Sequence, residues 1–159
     1  MAKNFHTVTV TPTVGTLEAG ANEVLFNVTE VPHAVSSHGG GAKLVSIVVQ
    51  DKGDDLTKDF DLFFFGSNAG GDLGSLNSSF SITDGNFALN RPLGNVRVEA
   101  EDANDVGDYI TGYVTTIANV GLVVEADSGS ASIFVAARAV DAQTKAANEI
   151  VLTLGFETY

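Results

Sequence analysis

Hydrophobic and polar residues alternate along much of this chain with a period of two. In Thr7-Val8-Thr9-Val10-Thr11 the valines fall on one face and the threonines on the other, as a half-buried β-strand requires. Residues 23–31 repeat the pattern, with Val24, Phe26 and Val28 opposite Asn27 and Thr29. Residues 43–50 are apolar on both faces, which predicts a central strand covered from two sides. Residues 59–66 set Phe60, Leu62 and Phe64 against Asp59, Asp61, Phe63 and Phe65. Further strands are predicted over 96–99, 109–116, 121–126, 132–140 and 149–156. In the last, Ile150, Leu152, Leu154 and Phe156 face inward, with Thr153 and Glu157 opposite.

Glycine-rich and polar turn signals separate these runs, among them Ser37-His38-Gly39-Gly40-Gly41, Asn68-Ala69-Gly70-Gly71 and Asp127-Ser128-Gly129-Ser130. Only residues 82–89 read as helical. Thr83 or Asp84 serves as N-cap there, Phe87 and Leu89 pack inward, and the helix stops before Pro92. The predicted fold is all-β: a single β-sandwich of about eight or nine strands with one short helix. Its long, unequal connections favour jelly-roll or Greek-key crossings over a meander. Residues 1–13 form an N-terminal arm or edge strand, closed by Pro12, and residues 14–159 form the sandwich. Such an arm either pairs within its own domain or lies across a neighbour.

Composition narrows the function. With 44% hydrophobic and 18% charged residues in 159, the chain is too apolar to be a disordered tail. Cysteine is absent, which removes disulfides, thiolate metal sites and cysteine nucleophiles. Twenty acidic residues against eight basic ones give a formal charge of -12, the wrong sign for holding nucleic acid or an anionic membrane surface. The sequence starting at Met1 shows no signal-peptide core, and no apolar run approaches the ~18 residues of a spanning helix. A soluble protein is expected.

Candidate chemistry is sparse. His33 and His38 flank a glycine-rich loop and His6 lies in the arm, so no His-x-x-x-His pair forms a zinc site. No Gly-x-Ser-x-Gly elbow occurs, and neither Ser67 nor Ser130 has an activating context. The glycines at 39–41 and 70–71 lack the following Lys-Ser/Thr and helix start of a phosphate cradle. Two acidic groups, Asp51, Asp54, Asp55, Asp59 and Asp61, and Glu99, Glu101, Asp102, Asp105 and Asp108, resemble loops of oxygen ligands for calcium. The second begins like an EF-hand at Asp102-x-Asn104 but carries Val106 and Tyr113 where ligands must stand. Solvated loops between strands are the commoner meaning of such groups. The absence of Trp also weakens a glycosidase or lectin reading. No catalytic, cofactor-binding or metal-binding residue is assigned, and no enzyme is expected. The informative oddity is the second face of residues 59–66. Phe63 and Phe65 there are either covered by a helix or loop, or presented to another subunit.

The succession from Gly40 to Lys52 (GGAKLVSIVVQDK), then Asp61 to Asn68 (DLFFFGSN) and Ser81-Ile82-Thr83-Asp84, is similar to small β-sandwich virion proteins of tailed bacteriophages. Gly121-Leu122-Val123-Val124, Ser132-Ile133-Phe134-Val135 and Leu152-Thr153-Leu154-Gly155-Phe156 continue the likeness over most of the chain after Gly40. It implies a capsid decoration, or cement, protein. Such a protein is a jelly-roll-like domain on the exterior of the virion, made in the host cytoplasm, often trimeric and bridging subunits of the major capsid protein, with no enzymatic residues to transfer. On this reading Phe63 and Phe65 serve a homotrimer, and Phe5, Val8 and Val10 of the arm dock on the shell. The arm would then be removable without unfolding the body. The competing reading is a carbohydrate- or calcium-binding β-sandwich module of a phage tail or receptor-binding appendage, drawn from the acidic loops.

Overall fold

A computed structural model of the chain describes residues 3–53, 58–106 and 112–158. Two antiparallel sheets face each other. One holds β1 (Asn4–Val10), β11 (Ile150–Thr158), β4 (Gly41–Asp51), β8 (Tyr113–Glu125) and β7 (Asn104–Asp105), in that order across the sheet. The other holds β3 (Val24–Val31), β9 (Ile133–Ala139), β5 (Phe60–Phe65) and β6 (Pro92–Val98). The short strands β2 (Glu18–Ala19) and β10 (Gln143–Thr144) pair separately. β1 pairs with β11, β3 with β9, β4 with β8 and β5 with β6, each pair nested inside the one before. The chain is therefore one long hairpin rolled into a sandwich, which is the jelly roll the connections predict.

Period-two alternation decides which residues meet between the sheets. Val10, Leu44, Ile47, Val49, Leu152, Leu154 and Phe156 come from one sheet, and Phe26, Phe60, Leu62, Phe64, Val135 and Ala137 from the other. All are buried. The predicted strand 121–126 and the described part of 109–116 form one long β8 interrupted by a bulge, and residues 109–111 lie outside the described part. Asn119 (φ 58°) and Gly121 (φ 74°) take left-handed conformations there, and the pairing with β4 slips between Leu44 and Ser46. A turn signal inside an apolar run thus bends a strand rather than ending it.

The longest described connection, residues 66–91 between β5 and β6, folds back over the outer face of the second sheet. Leu73 is fully buried there with Phe65, Val24 and Ala136, and Phe63, Leu76, Phe80, Ile82, Phe87 and Phe134 pack around them. Phe87 meets Phe65 edge-on at 5.6 Å between ring centroids, and Phe80 meets Phe63 at 6.1 Å. Two asparagines fasten the cover. Fully buried Asn90 accepts from the Gly70 N–H and donates to the Gly71 carbonyl, both at 2.8 Å. Asn27 of β3 accepts from the Leu73 N–H and donates to the Gly74 carbonyl. The helix α1 (Asp84–Leu89) begins at Thr83, whose hydroxyl accepts from the Asn86 N–H as an N-cap should. Phe87 packs inward as expected, but Leu89 is 54% exposed, because a helix of six residues turns only one side to the sheet. Among the described residues no helix is long and apolar enough to cross a membrane.

Candidate functional site

The five interface candidates separate into three environments. Phe65 has no exposed surface, so on that residue the covered alternative holds and the subunit-contact one does not. Phe63 is half-buried, against Phe80 and beneath the Arg138 guanidinium 5.5 Å from its ring. Val10 is buried and Val8 packs on the core, whereas Phe5 is 68% exposed. Phe5 stands an odd number of residues from both valines, so a strand necessarily turns it to the opposite face. Val10 therefore binds β1 to its own domain, and half-buried Val8 packs on the same core. His6 reinforces this, stacking on Phe156 with ring centroids 5.5 Å apart and bonding to the His33 carbonyl through Nε2 at 2.9 Å.

The fold divides the first acidic group of the sequence, while Glu99, Glu101, Asp102 and Asp105 of the second stay together at one end of the sandwich. β4 and β5 belong to different sheets, so Asp51 and Asp61 part company. Asp61, its side chain 3% exposed, lies on the outer face of the second sheet in a cross-strand row with Arg97 and Arg138. Arg97 donates to Oδ1 and Oδ2 at 2.7 and 3.1 Å, and Arg138 to Oδ2 at 2.7 Å. Burial works to raise this carboxyl, but the two guanidiniums outweigh it and hold it below the usual aspartate range. Asp51 lies at one end of the sandwich, where the buried Lys145 ammonium reaches it at 2.6 Å and Glu149 at 3.7 Å. Burial, together with nearby Asp51, pushes Glu149 above the ordinary glutamate range, against the pull of the Ala146 N–H and Lys145. Asp59 accepts from the Ala100 N–H at 2.8 Å and ties two loops of that end together. Each of these carboxylates is occupied by protein donors. Among the described residues no group of three acidic or imidazole side chains is close enough to hold a metal ion; Asp54, Asp55 and Asp108 lie outside them.

What the fold does create is a broad uncharged surface. Four strands of the first sheet present matched rows on its outer face: Thr7, Gly155, Ser46 and Ala118, then Thr9, Thr153, Val48 and Thr116, then Val151, Gln50 and Val114. No charged side chain occurs in these rows. The row above them runs Phe5, Glu157, Lys43 and Val123, with Val123 72% exposed and Glu157 bridged to Lys3 at 2.5 Å. Two shallow hollows of about 340 and 310 Å³ flank Phe5. Gly155 and the β4 bulge at Val45 and Ser46 shape the first, and Val45, Asn119 and Gly121 line the second.

No family model matches this chain, and no curated protein matches it. Among solved structures it is similar to a chain of tomato aspermy virus, at 15% identity and a TM-score of 0.40, covering 98% of this chain and 76% of that one. It is also similar to a chain of the cyanophage Pam1 capsid asymmetric unit (16%, TM-score 0.31, 99% and 84% covered) and to one of the Triatoma virus empty capsid (12%, 0.31, 98% and 86%). Values this low assign neither family nor activity.

The sequence contained the outer face without announcing it. Thr7, Thr9 and Thr153 each read as the solvated side of a strand, and only the register places them side by side with Thr116. Buried Lys145 carried no sequence signal beyond Glu149 four residues on.

Proposed function

We propose that this chain is a virion structural protein, a decoration protein that binds the exterior of a capsid lattice built by a major capsid protein and works as a homotrimer. The observation that carries the reading is the uncharged outer face of the first sheet, on a chain whose formal charge is -12. Interface cores are depleted of charge, and a surface free of carboxylates is where a strongly acidic protein meets another protein at least cost. The jelly-roll topology and the strand-and-turn likeness to tailed-phage virion proteins support it. Jelly rolls also serve lectin and other domains, so topology alone does not choose.

Particles lacking the chain, mixed with the purified protein and pelleted, test the proposal. Saturation in proportion to the major capsid protein, at hundreds of copies per particle, is expected. No pelleting, or a handful of copies, would refute a decoration role. The calcium- or carbohydrate-binding alternative predicts instead a rise of several degrees in Tm with calcium or sugar, since a ligand that binds only the folded state stabilises it.

A further inference from the structure

The two sheets are treated unequally. The outer face of the second is roofed by residues 66–91, while that of the first keeps Thr7, Thr9, Thr116 and Ala118 exposed. We infer that this bare face is where copies of the chain meet, the occupant of each face being a second copy. The inference deepens the decoration reading by assigning its self-association to one surface.

Charge selects the occupant. A basic partner would be drawn to the end of the sandwich that carries Glu99, Glu101, Asp102, Asp105 and Asp141, not to a face offering no carboxylate. Identical chains of charge -12 repel over most of their surfaces and come together only where charges do not oppose. The three uncharged rows provide such a place. The row above them sets exposed Lys43 beside Glu157, which is buried and already bridged to Lys3, and places a protruding Phe5 between the two shallow hollows.

Size sets the strength. Four strands at ~4.8 Å and about seven residues at ~3.3 Å make a patch of roughly 400 Å² in projection. That is about half of the ~800 Å² each partner gives to a standard interface. The contact is reversible in solution and becomes durable when many copies are held on one surface. The number of copies follows from how the contact closes.

Light scattering over a concentration series from micromolar to millimolar tests this on the full chain. The wild type should rise from one protomer of 16.5 kDa to a defined multiple. Val48→Glu and Thr116→Glu, outward on the face, should move the midpoint concentration up at least tenfold with unchanged melting curves. Ala147→Glu, exposed at the acidic end, should leave it in place. Thr7→Glu replaces either face variant that fails to fold. A wild type that stays monomeric throughout, or face variants that associate like the wild type, would overturn the inference. Pelleting with particles separates the two readings. A monomer that still decorates particles overturns the contact between copies and leaves this face to the shell, and an associating chain that ignores particles upholds the contact and refutes decoration.

Discussion

Asn90 shows how much one polar side chain can fix. It lies fully buried with its amide divided between the Gly70 N–H and the Gly71 carbonyl, so removing it strands two backbone groups away from water. Asn90→Ala should cost about 2–4 kcal/mol in a denaturant melt, whereas Leu89→Ser next door, on an exposed side chain, should stay within about 0.5 kcal/mol. Two carboxyls set the acid behaviour with opposite signs. Glu149 is raised in the fold, so its charged form opposes folding at neutral pH. Stability should rise as pH falls through that raised value towards the ordinary glutamate range near 4.3. Asp61 is lowered, so its contribution is present above the ordinary aspartate value near 3.9 and is lost as pH falls through its value in the fold. Thermal melts against pH should therefore show a gain on mild acidification and then a loss. Glu149→Gln should remove the gain, and Asp61→Asn should flatten the loss.

At the scale of elements, the roof of residues 66–91 and the edge strand β1 matter most. Phe65 is buried under α1, and Phe65→Ala should cost about 3–5 kcal/mol by the melt, far more than a surface aromatic would. β1 pairs along its whole length with β11 and contributes Val10 to the core. Deleting residues 1–13 should therefore lower Tm and open the β11 edge, contrary to the removable arm the sequence suggests. Much of this scale was legible beforehand. The alternations at 7–11, 23–31 and 149–156 became β1, β3 and β11, and the Thr83 cap started the helix where it stands. Two things were not legible. A local pattern cannot tell a strand that ends from one that bulges, as at Asn119 and Gly121. Nor does it tell which residues will cover Phe63 and Phe65, because the rings that meet them, Phe80 and Phe87, come from a later connection outside the strand's own pattern.

For the whole molecule, charge and topology act together. Of the carboxylates that sequence proximity made look like ligand loops, Asp51 and Asp61 are parted between sheets, and with Asp59 they are engaged by Lys145, Arg97, Arg138 and a backbone N–H. The surface left for contact is one whose rows exist only once β1, β11, β4 and β8 are in register, so no single stretch of sequence displays it. Association across an uncharged face between like-charged bodies has a distinctive salt response. Screening at a Debye length of about 8 Å weakens the repulsion and leaves the contact intact, so raising ionic strength should lower the midpoint concentration. A complex held by opposite charges would do the reverse. The most direct test of a contact protein working through this face is side-chain footprinting of the chain when dispersed and when bound to particles. Protection concentrated at Phe5, Val48 and Val123, with residues 99–105 and 141–149 unchanged, is the predicted result. Protection at that acidic end, with Phe5, Val48 and Val123 as reactive as before, would contradict it.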